Sequence, residues 1–213
     1  MEVVTEKKTS KNTVSEGYIR TEVGVIPENW ETKTLRDLIE RIVGGGTPRR
    51  SVSEYWNGEI PWVTVKDFST FNKNGTQENI TEIGLKNSAS NLIPKHTLIT
   101  STRMALGKAV IYDVDVAINQ DLKALFTKKK LSTTFLYYWF QYNEEEIKKL
   151  GSGSTVKGIS LSDLKNIQFG YPPTLEEQRS IAEALSDVDA LIAELDALIE
   201  KKQQVKKGAM QQL

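Results

Sequence analysis

The last forty or so residues carry the most regular pattern of hydrophobic and polar positions in the chain. After Pro172 and Pro173, apolar residues recur in alternating steps of four and three, with no glycine before Gly208. The seam consists of Ile181, Leu185, Val188, Ile192, Leu195 and Ile199. Such a repeat predicts a coiled-coil helix, and Leu191 and Leu198 widen its apolar stripe.

The start of this helix is marked by its local chemistry. Prolines precede helices more readily than they lie inside them, and Thr174 with Glu177 three positions later has the pattern of a capping box. The predicted helix begins at about Leu175, inside a C-terminal segment of residues 172–213, and is about 58 Å long at roughly 1.5 Å per residue. A core helix of a globular domain is the alternative, but such helices usually run about 8 to 20 residues.

Residues 21–171 contain shorter runs with the hydrophobic periodicity of strands and helices, which together predict one domain. The strand-like runs are Ile60–Val65, Thr97–Thr100, Lys108–Tyr112 and Leu122–Thr127. Amphipathic helices are predicted over Thr34–Val43 and from Ser132 through Ile147. Residues 159–171 predict a helical turn and a last strand, and residues 1–20 a loosely ordered tail or a short helix. The predicted fold class is a mixed α/β (α+β) globular domain followed by one long C-terminal coiled-coil helix.

Composition narrows the class of protein. The 213 residues include no cysteine, which excludes a disulfide-stapled scaffold and thiolate metal sites. The 28 basic and 28 acidic residues cancel, so bulk charge does not predict a polyanion binder. Residues 172–213 hold five basic and eight acidic side chains, which leaves the preceding domain mildly positive. No apolar run approaches membrane-spanning length, and we expect a cytoplasmic location.

Several local patterns suggest catalysis, but each lacks a necessary residue. A phosphate loop around Lys157 would need Gly before it and Ser or Thr after it, where Val156 and Gly158 stand. An amino-methyltransferase would need Asn or Asp where Tyr171 precedes the proline pair. The sole histidine, His96, cannot form a histidine zinc site. We therefore predict no catalytic residues and no metal ligands.

Polar and basic residues in loops remain as candidates for contact with DNA. Adjacent amides such as Asn119 and Gln120 can each make bidentate hydrogen bonds to adenine. Basic side chains near glycines and strand ends can reach phosphates, although ordinary surface charge would explain any one of them. The predicted DNA-binding residues are Thr47, Arg49, Lys66, Arg103, Lys108, Asn119, Gln120 and Lys157.

Motifs spread over almost the whole chain after residue 20 resemble, in order, those of a type I restriction-modification specificity subunit. They are Val25–Glu31, Gly45–Pro48, Tyr55–Val63, Ile93–Pro94, Ser101–Arg103 with Gly107, Asn119–Gln120, Gly153–Lys157 and Tyr171–Gln178. The resemblance implies a target recognition domain over residues 21–171 and a conserved spacer helix over residues 172–213.

The resemblance also implies a function. A specificity subunit is a non-catalytic reader of double-stranded DNA, whose recognition domain reads one half of a two-part target. Its helices fix the distance between the halves and dock methyltransferase subunits, which a restriction subunit can join. The resemblance places S-adenosylmethionine, ATP and Mg²⁺ on those partner subunits and no cofactor on this one. Full-length members carry two recognition domains and two helices, whereas this sequence has one of each.

A single exposed seam needs a partner, and a second copy is the simplest symmetric one. We therefore expect a homodimer that reads a two-part, inverted-repeat target. The predicted interface residues are Ile181, Leu185, Val188, Leu191, Ile192, Leu195, Leu198 and Ile199. Two other functions stay open: a coiled-coil adaptor that binds only proteins, and a methyltransferase or nuclease in its own right.

Overall fold

The computed structural model describes residues 15–153 and 157–210. In that part of the chain the helices are α1 (Leu35–Leu38), α2 (Glu82–Lys86), α3 (Thr133–Tyr142), α4 (Glu144–Lys149), α5 (Leu161–Asn166) and α6 (Leu175–Met210). The strands are β1 (Tyr18–Thr21), β2 (Gly24–Pro27), β3 (Glu31–Thr34), β4 (Ile39–Gly44), β5 (Trp56–Val63), β6 (Glu78–Ile80), β7 (Asn91–Ile93), β8 (Leu98–Ser101), β9 (Ala109–Ile111), β10 (Val116–Ile118), β11 (Leu122–Thr127) and β12 (Gln168–Tyr171). Most of the predicted N-terminal tail and the predicted end of the long helix, residues 1–14 and 211–213, lie outside the described residues.

Two four-stranded sheets form the centre of the domain. One is antiparallel with the strand order β4-β11-β8-β9, and its register sets Leu125 between Ile42 and Leu98. The other has the order β6-β5-β10-β7, in which β10 runs parallel to β5. The remaining strands pair as β1 with β2 and β3 with β12.

The antiparallel sheet is covered on both faces. On one face, Leu98 and Leu125 join a core built around α3. On the other face, their neighbours Ile99 and Ala124 join a core shared with β5 and β10 of the second sheet. Because successive side chains of a strand point to opposite faces, both residues of each pair are buried. The predicted mixed α/β domain followed by a long helix is confirmed.

The predicted helix over Thr34–Val43 is wrong beyond its first turn. α1 ends at Leu38, and the chain continues as β4, in which Ile42 lies opposite Leu125. The β-branched residues of this segment also suit a strand, and pairing with β11 decides the outcome. The helix predicted from Ser132 through Ile147 is divided at Asn143 into α3 and α4.

The long helix is α6, and it is tied to the domain at its start. The Thr174 hydroxyl accepts the N–H of Glu177 at 3.3 Å. The Glu177 carboxylate accepts a hydrogen bond from the Trp30 indole at 3.0 Å. From Glu183 to Gly208 every residue is exposed. This exposed segment is about 39 Å long at roughly 1.5 Å per residue.

Candidate nucleic-acid interface

The turn between β10 and β11 holds the predicted amide pair. Asn119 is buried, and its Oδ1 accepts the N–H of Asp121 at 3.1 Å. Gln120 is exposed, and its Oε1 accepts a hydrogen bond from the Thr47 hydroxyl at 2.6 Å. Gln120 therefore faces outward, whereas Asn119 shapes the turn that presents it.

The carboxylate of buried Asp121 connects this turn to Arg103. Gln120 Nε2 donates to Asp121 Oδ2 at 3.3 Å, and Arg103 Nη1 lies 3.7 Å from Asp121 Oδ1. The backbone N–H and hydroxyl of Thr102 both donate to the Asp121 carbonyl, at 2.8 and 3.0 Å. The Arg103 side chain nevertheless stays 58% exposed. Its guanidinium can reach a ligand while a buried carboxylate orients it.

Lys157 adjoins the same network through its backbone. Its carbonyl accepts the N–H of Met104 at 3.2 Å, and Gly158 forms a β-bridge with Arg103. The predicted Lys157 loop includes residues 154–156, which lie outside the described residues. The structure thus brings together five of the eight predicted residues. We call them the polar cluster: Thr47, Arg103, Asn119, Gln120 and Lys157.

Arg49 and Lys66 lie beside a second polar surface. Both are exposed; the Arg49 carbonyl accepts the Trp56 indole N–H at 3.3 Å, and the Lys66 carbonyl accepts Nε2 of Gln77 at 3.4 Å. Those partners, Trp56 and Gln77, line a concavity of about 570 Å³ together with Arg50, Asn57, Gly58, Thr76, Glu78 and Asn79. Thr47 precedes Arg49 by two residues, so one loop serves this surface and the polar cluster.

Arg50 is fixed in this concavity by a carboxylate and an indole. Its guanidinium forms a bidentate ion pair with Glu78, and its Cζ lies 3.8 Å from the centre of the Trp56 ring. The hydrogen bonds from Arg50 lower the pKa of the Glu78 carboxyl. Because both Nη groups already donate to Glu78, binding a phosphate or a guanine edge with the same planar fork would require displacement of that carboxylate.

Lys108 occupies a different environment from the polar cluster. It is half-buried and lines a cavity of about 160 Å³ with Phe71, Tyr137 and Glu144. Its carbonyl accepts a hydrogen bond from the Thr100 hydroxyl at 2.8 Å. The structure therefore separates Lys108 from Arg103, although only four positions lie between them in sequence.

The eight residues of α6 that were predicted to form the dimer interface divide into two groups. Ile181 is half-buried and packs against the domain core. The other seven are between 42% and 55% exposed: Leu185, Val188, Leu191, Ile192, Leu195, Leu198 and Ile199. We call these seven the apolar stripe. Contiguous exposed apolar surface of this extent is typical of a protein interface.

The junction of α6 with the domain depends on Gln178, which is fully buried. Its Oε1 accepts the N–H of Ser132 at 2.8 Å, and its Nε2 donates to the carbonyls of Lys130 and Pro172 at 3.0 and 2.9 Å. One turn beyond Leu185, Asp189 accepts a hydrogen bond from the Tyr138 hydroxyl at 2.9 Å. Burial and this bond raise the pKa of Tyr138 to about 12.

Sequence reasoning missed two residues of these surfaces, Lys123 and Gln178, and left Arg50 out of the predicted DNA-binding residues. Arg50 adjoins Arg49, but its neighbours Glu78 and Trp56 are found only by folding. Lys123 donates from Nζ to the Gln120 carbonyl at 2.8 Å, and burial lowers its pKa. Gln178 gave no signal of its buried role, because two of its three partners, Lys130 and Ser132, come from a distant segment.

Metal binding and membrane insertion find no support in the described part of the chain. Across residues 15–153 and 157–210, no group of three His, Cys, Asp or Glu side chains is placed to hold a metal ion. None of the described helices is long and apolar enough to cross a membrane. Tyr171, which stands where a methyltransferase would need an amide or acid, donates its hydroxyl to Glu31 Oε2 at 3.0 Å.

The chain that carries these surfaces is similar to a family of known proteins. Residues 27–207 match the family described as type I restriction modification DNA specificity domain. The MjaIX specificity subunit of Methanocaldococcus jannaschii is 34% identical over 180 residues, covering 82% of this chain and 41% of the relative. The EcoR124I/EcoR124II specificity subunit of Escherichia coli is 29% identical over 167 residues, covering 76% and 41%.

The solved HsdS subunit from Thermoanaerobacter tengcongensis has the same fold, with a TM-score of 0.61 and 24% identity over 85% of this chain and 42% of that one. The chain thus spans less than half the length of the curated relatives it matches. The family match covers the polar cluster, the second polar surface and nearly all of α6. The chain belongs to the family of type I restriction-modification DNA specificity domains.

Proposed function

We propose that this chain is the non-catalytic DNA-recognition subunit of a type I restriction-modification enzyme. One observation carries the proposal: the domain presents the polar cluster at its surface, and the helix that leaves this domain exposes the apolar stripe. The polar cluster offers a hydroxyl, an amide and a guanidinium together, which are the groups that read base edges and phosphates. Membership of the specificity family supports this assignment.

A second copy of this chain is the partner proposed for the apolar stripe, in the antiparallel orientation. Charge along the exposed segment of α6 is segregated: six acidic residues lie at Glu183, Asp187, Asp189, Glu194, Asp196 and Glu200, followed by Lys201, Lys202, Lys206 and Lys207. Parallel helices would set lysines against lysines. Antiparallel helices set the basic end of each against the acidic start of the other.

The antiparallel homodimer places one recognition domain at each end of the paired helices. Two-fold symmetry then requires the two DNA half-sites to be inverted repeats separated by a spacer. Methyltransferase and restriction subunits dock on this homodimer and supply the chemistry that uses S-adenosylmethionine, ATP and Mg²⁺. The complex works in the cytoplasm. The competing function is a coiled-coil adaptor, which the apolar stripe would also suit and for which DNA binding is not needed.

Mapping methylated bases tests the function directly. In cells that carry this chain and its methyltransferase subunits, we expect methylation at a two-part sequence whose halves are inverted repeats. Changing Gln120 and Arg103 together to alanine should abolish that methylation, because the polar cluster loses its amide and its guanidinium. A methylated sequence that is unchanged by the double variant would favour the adaptor, and methyl transfer by the purified chain alone would show an enzyme.

Engineered cysteines test the orientation of the helices, since the chain has no cysteine of its own. Antiparallel pairing that covers the whole exposed segment places Leu195 at the two-fold axis. A Leu195→Cys chain should therefore form a disulfide-linked dimer under mild oxidation. Two copies of Val188 would lie about 21 Å apart along the axis, far beyond the roughly 7 Å limit between the Cα atoms of a disulfide.

The matched outcome uses Lys202, which antiparallel pairing sets opposite Val188. Val188→Cys chains alone should stay uncrosslinked, whereas a mixture of Val188→Cys and Lys202→Cys chains should crosslink on non-reducing gels. Efficient self-crosslinking of Val188→Cys would indicate parallel helices and would contradict the inverted-repeat target.

A further inference from the structure

Met104, in the loop between β8 and β9, combines an exposed apolar side chain with an unusual backbone. Its φ is +66°, in the left-handed region, and its side chain is 61% exposed. In that region the Cβ of an L-residue crowds the following carbonyl oxygen, so residues other than glycine, asparagine and aspartate avoid it. Residues held in such conformations cluster at functional sites.

The loop around Met104 is fixed by hydrogen bonds. The N–H of Met104 donates to the Lys157 carbonyl at 3.2 Å, and the N–H of Ala105 donates to the Arg103 carbonyl at 2.8 Å. The Ser101 hydroxyl bonds to the Arg103 backbone at both its N–H and its carbonyl. These hydrogen bonds fix the backbone from which the Met104 side chain extends.

Burial inside the domain does not account for the residue at this position. The next two residues enter the two cores: Ala105 packs against the core between the sheets, and Leu106 is buried in the core beneath α3. Met104 itself remains mostly in solvent. In the free chain, therefore, burial of the Met104 side chain does not offset the conformational cost of its positive φ. Burial against a bound partner would offset it.

The surroundings of Met104 indicate which partner. The preceding residue, Arg103, exposes 58% of its side chain, and Lys157 and Gln120 are exposed in the same network. A lone apolar side chain among cationic and amide groups matches a nucleic-acid groove, where phosphates flank thymine methyl groups and stacked base steps. The flexible, polarisable thioether suits such a contact.

We propose that Met104 is a specificity-determining residue that makes an apolar contact with a base in the DNA target. The proposal rests on the DNA-reading function proposed above. It assigns the methionine a role separate from that of Arg103, which approaches a charged or polar group. The contact is therefore expected to affect base preference while leaving the electrostatic part of binding unchanged.

The test uses the full chain with its methyltransferase subunits and a duplex selected from a randomised pool. Met104→Gly should lower affinity about tenfold and relax the preference at one base position, a loss at the low end of the cost of one mismatched base pair. Its thermal midpoint should be no lower than that of the unaltered chain, because glycine adopts this backbone without crowding. Met104→Leu should keep both affinity and preference.

Arg103→Ala is the comparison variant. It should reduce the slope of the logarithm of the binding constant against the logarithm of the salt concentration by about one. Met104→Gly should leave that slope unchanged. Unchanged affinity and base preference in Met104→Gly would overturn the proposal. So would loss of methyltransferase binding with base preference intact, which would place Met104 on a protein interface. If the unaltered complex selects no sequence at all, the proposed function fails first.

Discussion

Replacing Leu195 with aspartate is expected to convert the proposed homodimer into a monomer at micromolar concentration. Leu195 lies at the centre of the exposed segment of α6, so both copies would bring a carboxylate into the middle of the apolar stripe. Losing a buried leucine costs about 3 kcal/mol, which weakens the dimer at least about a hundredfold. Sedimentation equilibrium measures the change, and circular dichroism should show the domain still folded, because this segment is exposed.

Ala197→Asp is the matched control for that experiment. It adds the same charge two residues along the helix, about 200° round the helix axis, where the stripe is absent. This variant should remain dimeric. A Leu195→Asp chain that still sediments as a dimer would show that the apolar stripe is not the interface, and equal dissociation of both variants would attribute the effect to charge alone.

The long helix was predictable because its signal is local and repeated. The heptad pattern recurs from Ile181 to Ile199, the proline pair marks the boundary, and the Thr174 cap is found in the structure where the sequence placed it. The strand Ala109–Ile111 was also predictable within Lys108–Tyr112, because a short run of β-branched and apolar residues between turns favours a strand. These features depend on neighbours within a few residues.

The failures have a common physical cause in contacts between distant segments. Ile39–Gly44 is a strand because β11, about eighty residues later, pairs with it. Asn119 and Gln120 are adjacent and chemically alike, yet only the fold shows that one is buried and the other exposed. Lys108 and Arg103 are likewise separated by the path of the backbone around Gly107. Residue type predicted the polar cluster as a group, and tertiary structure determined its members.

Replacing Gln178 with leucine is expected to lower the free energy of unfolding by about 3 kcal/mol or more. The substitution leaves the N–H of Ser132 and the carbonyls of Lys130 and Pro172 without their side-chain partner. Each buried polar group that loses its partner costs about 1–3 kcal/mol. Urea denaturation measures the loss, and hydrogen exchange should show faster opening where α6 joins the domain.

Gln204→Leu is the matched control, because it makes the same change on the exposed part of α6, away from the apolar stripe, and should alter stability by no more than about 0.5 kcal/mol. Gln178→Glu adds a second comparison: burial and two facing carbonyls should raise the pKa of the new carboxyl in the folded state. A raised folded pKa means that stability is greater when the group is protonated and falls as pH rises. Gln178→Glu should therefore lose stability relative to Gln178→Leu between about pH 5 and pH 8. No difference between the two pH values would mean that water reaches the new carboxyl, whereas an unchanged free energy of unfolding in Gln178→Leu would mean that the three hydrogen bonds do not hold the helix to the domain.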